Sequence, residues 1–452
     1  MKMNWLEIAK NYEEEFITTV SELLRIPTLL TEYNPNNLEA PFGKEIREAL
    51  DFMLKLGEES GFKVKNVDNY AGHIEYGEGE EILGILGHLD VVPAGGKWIN
   101  PPFSATLKDG YIYSRGAMDD KGPTVAAFIA LKMIKDQGIK LNKKVRLILG
   151  CDEETGMRGL LHYLEKEKMP DIGFAPDADF PLIYAEKGIY TYNFVGEQED
   201  NLIKSMYAGE RYNVVPDECQ AELNIDLEKE FKEYLLKNNY LGKVEDNKYT
   251  IFGRNAHAAT PQEGVNAISL MVGFLKDYTE VPFINMLDKY LTFDHYGNKL
   301  GLSCYDKEMK ELTNNIGFIK YDGLKVDIGC NIRYPRNYDF VSGEIKMKEA
   351  ASEFDLEYKL DANSVPHYVS PKEPLIKELH NAYKKYTNDE SSEIMSIGGG
   401  TYARQLKKAV AFGPIFPGDE ELAHQPNERL NIKKMLVAIA IYAESIERLA
   451  GE

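Results

Sequence analysis

With 452 residues, 43% hydrophobic and 28% charged, the chain has the balance of a globular protein and is too long for one ordinary core. A formal net charge of -20 argues against nucleic acid and anionic membrane as partners, and no apolar run reaches the length of a membrane span. Four scattered cysteines (Cys151, Cys219, Cys304, Cys330) without zinc-finger spacing, and a start that Glu13, Glu14 and Glu15 make unlike a signal peptide, lead us to expect a reduced, cytoplasmic protein.

Trp5, Ile8, Ala9, Tyr12 and Phe16 form a helical stripe, broken by Pro27 and the Asn-rich turn at 34–37. A helix over 44–60 turns Ile46, Ala49, Leu50, Met53 and Leu54 inward, and short strands follow at 63–67, 73–76 and 82–86. The last strand runs into Gly87, His88, Leu89 and Asp90. Period two lets His88 and Asp90 point the same way while Leu89 enters the core. A strand at 111–114 feeds a polar segment containing Asp119 and Asp120. Pro123 then falls near the first turn of a helix to about 136, where its missing N–H costs little. The apolar strand 145–150 ends in Cys151-Asp152-Glu153-Glu154, a helix covers 157–166, and the strand 172–175 ends at Pro176-Asp177. Strands alternating with helices imply an α/β, doubly wound sheet, whose sites lie beyond the carboxyl ends of its strands. His88, Asp119, Glu154 and Asp177 all fall there.

From Gly188 the texture changes. Strands are predicted at 189–195, 220–226, 248–252, 317–321, 324–333 and 356–360, with helices at 228–237, 264–277 and 341–351. This is the pattern of an inserted α+β domain with mostly antiparallel sheet. The doubly wound texture returns after Pro366, Pro371 and Pro374, with helices at 375–386 and 432–449 and strands at 394–397 and 409–412. The expected domains are therefore a discontinuous one, 1–186 with 373–452, and a lid of two α+β halves, 187–372.

His88, Asp90, Asp119, Asp120, Glu153, Glu154, Asp177 and the late His424 make a set rich in carboxylates and poor in histidine. Such groups on one sheet edge repel one another unless cations neutralise them. Without cysteine, zinc is the first candidate, with manganese or cobalt next. Adjacent Glu153 and Glu154 diverge at a strand end, so one can face a metal and the other a water.

Gly87-His88-Leu89-Asp90-Val91-Val92-Pro93, Arg115-Gly116-Ala117-Met118-Asp119-Asp120-Lys121-Gly122 and Asp152-Glu153-Glu154-Thr155-Gly156 resemble the signatures of the M20 metallopeptidases. Phe174-Ala175-Pro176-Asp177-Ala178, Asn331-Ile332-Arg333-Tyr334-Pro335 and Gly398-Gly399-Gly400-Thr401-Tyr402-Ala403-Arg404 narrow the likeness to the PepV-like dipeptidases. The resemblance implies that two divalent ions are held by His88, Asp119, Glu154, Asp177 and His424, with Asp119 bridging and Asp90 orienting His88. It implies Glu153 as general base and a cis peptide at Asp119–Asp120. In the lid it implies His257 at the oxyanion, Arg333 on the substrate's free carboxylate, Asn213 near the site, and close backbone approach at Gly399 and Gly400. The expected activity is hydrolysis of short unblocked dipeptides by a monomer, since the long insert carries a second half where a partner's lid would stand. A deacylase of N-acyl amino acids on the same scaffold and a non-catalytic metal-binding relative are the alternatives. Retention of Asp90 and Glu153 speaks against the second.

Overall fold

The computed structural model describes residues 3–30 and 32–451, which fold as two compact units. The first comprises Met1–Tyr184, Val369–Met395 and Thr401–Glu452, and the second Ala185–Tyr368 with Ser396–Gly400.

In the first unit a mixed sheet runs in the order Lys63–Val67, Ala71–Tyr76, Lys144–Gly150, Ile82–His88, Ile172–Ala175, Ala409–Ala411. The last four are parallel to one another, and the first two join as an antiparallel hairpin at the edge. All seven residues of Ile82–His88 are buried, as a strand covered on both faces requires. Its alternation sorts the layers. Leu86, Ile148 and Ala175 pack with Leu160 and Tyr163 of the helix Arg158–Lys166. On the strand Ile172–Ala175, Phe174 stacks on Tyr442 of the helix Ile432–Ala450, with ring centroids 5.7 Å apart. The helix Lys121–Asp136 packs on Ile432–Ala450 and on the strand Ile82–His88. The fold is thus α/β with helices on both faces of the sheet.

The second unit is α+β. Its sheet has eight antiparallel strands in the order Leu241–Glu245, Lys248–Phe252, Glu218–Leu223, Ile203–Ala208, Thr313–Tyr321, Lys325–Tyr334, Gly188–Glu197, Glu357–Ser364. Two strand–helix groups meet edge to edge through Met206↔Tyr321, Tyr207↔Lys320 and Ala208↔Ile319, making one continuous sheet. Side chains of four helices, among them Phe231, Ile268, Phe283 and Met347, enter a single core against it.

Several boundaries differ from expectation. The opening stripe is two helices, Trp5–Lys10 and Glu13–Leu24, separated by a turn with no Pro or Gly. The strand expected to stop at residue 86 continues to His88, because Gly87 and His88 pair with Leu149 and Gly150. The strand expected over 220–226 spans Glu218–Leu223, since Asn224 turns away to bond Leu202 and leaves Ile225 exposed. Ile203–Ala208 and Leu241–Glu245 were not expected, and a helix, Pro282–Tyr290, occupies part of the segment between the two halves.

Candidate metal centre

Parallel strands that finish level bring their following residues to one edge. His88 closes its strand opposite Gly150, so the turn bearing Glu153 and Glu154 begins beside it. Asp177 follows the neighbouring strand Ile172–Ala175, and Asp119 lies just ahead of the helix Lys121–Asp136. That helix reaches the strand end only because residue 87 is glycine: a Cβ there would sit 2.1 Å from Thr124 Oγ1. Asp120 completes the junction, its Oδ2 accepting from the His88 N–H at 3.1 Å and from Thr124 Oγ1 at 2.9 Å. The Asp119–Asp120 peptide is cis.

The side chains converge around Asp119. His88 Nε2 lies 3.1 Å from Asp119 Oδ1 and 3.7 Å from Asp177 Oδ2. His424 Nε2 lies 2.9 Å from Asp119 Oδ2 and 3.1 Å from Glu154 Oε2. One carboxylate thus faces two imidazoles, one oxygen to each. His88, Asp119 and Glu154 have ligand atoms within 4.8 Å of one another, and so do His88, Glu153 and Asp177. All the first-unit positions read from the sequence are therefore brought together, and Glu153 is also within ligand reach.

Asp90 is fully buried and does more than face His88. Its carbonyl lies 3.0 Å from His88 Nδ1, while its carboxylate accepts from the Glu153 N–H at 3.0 Å (Oδ1) and the Glu154 N–H at 3.1 Å (Oδ2). One side chain fixes both the histidine and the two-glutamate turn.

Burial pushes the Asp177, Glu153 and Glu154 carboxyls above their usual range, and neighbouring carboxylates push them further. Hydrogen bonds to Asp119 and Glu154 raise the His424 ring to about 10. Burial opposes charge on His88, yet Asp119 and Asp90 hold its ring well above the usual value. Clustered acids that resist ionisation and imidazoles that retain protons are what a divalent cation would replace, one positive centre standing in for several protons. Glu154 Oε1 is buried with no hydrogen-bond partner among the described residues, which leaves an acceptor for such an ion. The donor set of imidazole nitrogens and carboxylate oxygens suits zinc, manganese or cobalt. Burial pushes the Cys151 thiol well above its usual value.

The second unit gathers its own predicted residues. Arg333 is buried, donating from Nε to Asn331 Oδ1 at 2.7 Å and from Nη1 to Gly398 O at 2.6 Å. Thr313, paired with Arg333 across the sheet, reaches the Ala258 and Ala259 carbonyls at 3.4 Å each. His257 sits on that turn, bridged to Val214, and Asn213 O accepts from the Ala258 N–H. Gly398, rather than Gly399, is the crowded glycine: a Cβ there would lie 2.5 Å from Ala259 Cβ, against 3.4 Å from Ile397 for one at Gly399.

One residue escaped the sequence reading. Glu428 is fully buried and accepts from Arg115 Nη1 at 2.6 Å and from three backbone N–H groups of the Asp119 loop. Its only signal in the sequence is a charged residue in an otherwise ordinary loop.

Residues 84–448 match peptidase family M20/M25/M40. The chain is 41% identical over 473 residues to a Bacillus subtilis protein named "Putative dipeptidase YtjP", covering 99% of this chain and all of that one. Among solved structures, human carnosine dipeptidase 1 superposes with a TM-score of 0.63 at 15% identity, covering 98% of each chain. A dinuclear metal-binding peptidase of the M20 family from Bacillus subtilis gives 0.53 at 11% identity, covering 96% of this chain and 98% of that one. Those two likenesses concern the fold, while the family match and the full-length relative concern descent. The chain belongs to peptidase family M20/M25/M40.

Proposed function

We propose that this protein is a two-metal dipeptidase acting on short unblocked peptides, with zinc the first candidate metal and manganese or cobalt next. The observation that carries the reading is Asp119, one oxygen facing His88 and the other His424. His88, Asp177 and Asp119 would hold one ion, and Glu154, His424 and Asp119 the other. When bound, the pair of ions polarises the peptide carbonyl and makes water acidic enough to lose a proton near neutral pH. Glu153 takes that proton from the attacking water and hands it to the departing amine. Asp90 keeps the His88 ring and the Glu153 turn in register. The first unit is on this reading the catalytic domain and the second its lid. Within the second unit, His257 would be the donor to the oxyanion and Arg333 the partner of the substrate carboxylate, with Asn213, Gly399 and Gly400 as further substrate-binding residues. The full-length likeness to a protein named as a dipeptidase supports this choice of substrate. No described helix is long and apolar enough to cross a membrane.

The direct test offers metal-loaded protein a panel of dipeptides beside N-acyl amino acids and follows release of free amino acids. Release from dipeptides is expected. Release from the N-acyl amino acids alone would make the protein a deacylase.

Metal titration of protein stripped by chelator is expected to saturate at about two divalent ions per chain, with activity returning on the same curve. Full activity at one ion would end the paired-metal mechanism.

A guanidinium fork already oriented by Asn331 and Gly398 suits a planar carboxylate. Arg333→Ala is expected to lower kcat/KM for free dipeptides at least ~10-fold more than for their C-terminal amides, about the worth of one charge-assisted bond. Equal loss on both substrates would give Arg333 a purely structural role.

A further inference from the structure

We propose that Glu428 is a positioning residue that sets the spacing between Asp119 and His424, and with it the affinity for the second metal ion. The inference rests on the ligand assignment above.

His424 and Asp119 arrive on loops more than 300 residues apart in sequence, and neither loop belongs to the sheet. Glu428 joins them. Its Oε1 accepts from the N–H groups of Met118 at 2.7 Å and Asp119 at 3.1 Å, and its Oε2 from Gly116 N–H at 3.1 Å and Arg115 Nη1 at 2.6 Å. One carboxylate, fully out of water, therefore grips the backbone of Asp119 itself, and it stands four residues after His424. The grip has support on both sides. The Ser114 N–H donates to the Glu428 carbonyl at 3.0 Å, and Arg115 is buried over the Trp98 ring with its guanidinium 5.3 Å from the centroid. Gly116 has φ +81°, where a side chain is disfavoured, so that its N–H can turn toward Oε2. His424 and Asn427 both hold left-handed backbone, at φ 63° and 64°. Asn427 Oδ1 is tied to the Ile99 N–H at 2.7 Å. Two such residues within four positions persist only where surrounding contacts over-determine them.

Glutamine separates positioning from mere filling of space. It keeps the shape of Glu428 but replaces one acceptor oxygen with an NH₂. Whichever way the amide is flipped, two of the four donors then meet another donor. The loop bearing Asp119 or the contact with Arg115 must give way, and the two imidazoles no longer share Asp119 at their present separation.

The test is equilibrium dialysis of Glu428→Gln with zinc, together with the visible spectrum of the cobalt-substituted protein. Wild type serves as the control. If it binds no pair of ions, the ligand assignment fails before this inference is reached. Given two ions in wild type, the variant is expected to bind the second about 10–100-fold more weakly, the range for outer-shell partners of metal ligands, and to show an altered cobalt spectrum. Wild-type affinity for both ions with an unchanged spectrum would overturn the proposal. So would a lower melting point of the metal-free variant with an unchanged rise on adding metal, the mark of a residue that serves folding alone. Should Glu428→Gln fail to fold, Glu428→Asp keeps the charge for Arg115 while drawing the oxygens back from Met118 and Asp119, and it is read by the same outcomes.

Discussion

Glu153→Gln is expected to lower kcat on a dipeptide by at least ~10²-fold, the usual range for loss of a general base, while bound metal stays at the wild-type level. The substitution is clean for a structural reason. The Glu153 backbone is held by its N–H bond to Asp90 Oδ1, so glutamine inherits the same path and length and loses only the ability to take a proton. Burial first, and then the charges of Glu154, Asp119 and Asp90, push the Glu153 carboxyl well above its usual range. A carboxylate made more basic by its surroundings is a better proton acceptor than an exposed one. The outcome also decides between two roles, because Glu153 lies within ligand reach of His88 and Asp177. Loss of metal together with activity would make Glu153 a ligand, and near-normal turnover would remove it from the reaction.

His257→Ala should cost about 10²–10³-fold in kcat, the scale for one oxyanion donor, again with metal content unchanged. Its tautomer favours the role. Nδ1 accepts from the Ala259 N–H at 3.2 Å, so a neutral ring carries its proton on Nε2 and is a donor there. We expect the histidine to serve its own chain. Sedimentation should then show an active monomer near 51.3 kDa, and mixing inactive Glu153→Gln with inactive His257→Ala should restore nothing. Recovery on mixing would mean that the histidine is lent across a dimer.

What could be read from the sequence was whatever is local. Apolar strands announce their own ends, so the residues just past 86, 150 and 175 were visible as one sheet edge before any coordinates. Pro123 marked a helix start for the same reason. What could not be read depends on distant backbone. Period two put Asp90 beside His88 but said nothing of its hold on Glu153 and Glu154, because that hold uses N–H groups more than 60 residues away. Glu428 was invisible for the same reason, since three of its four donors are main chain. Leu241–Glu245 escaped because it is an edge strand whose Leu241 is 74% exposed, so it carries no apolar alternation. Ile203–Ala208 escaped because its alternation is short and diluted by Lys204 and Ser205.

The long insertion leaves and returns at nearly one point. Ala185 and Glu186 pair antiparallel with Tyr368 and His367, and just outside them the Val369 N–H donates to the Tyr184 carbonyl at 2.9 Å. The host chain is thus already stitched shut where the guest departs. Removal of residues 185–368 would therefore leave Tyr184 and Val369 facing each other, about one tight turn apart. The strands that end at His88 and Ala175 lie wholly before this seam, so the turns bearing His88 and Asp177 are set by chain that precedes the insertion. Ser396–Gly400 sets a limit on exchanging the insertion. It follows the insertion in sequence yet belongs to the second unit, where the Gly398 carbonyl accepts from Arg333, so an exchanged insertion would have to bring an arginine that fits this carbonyl or do without that anchor.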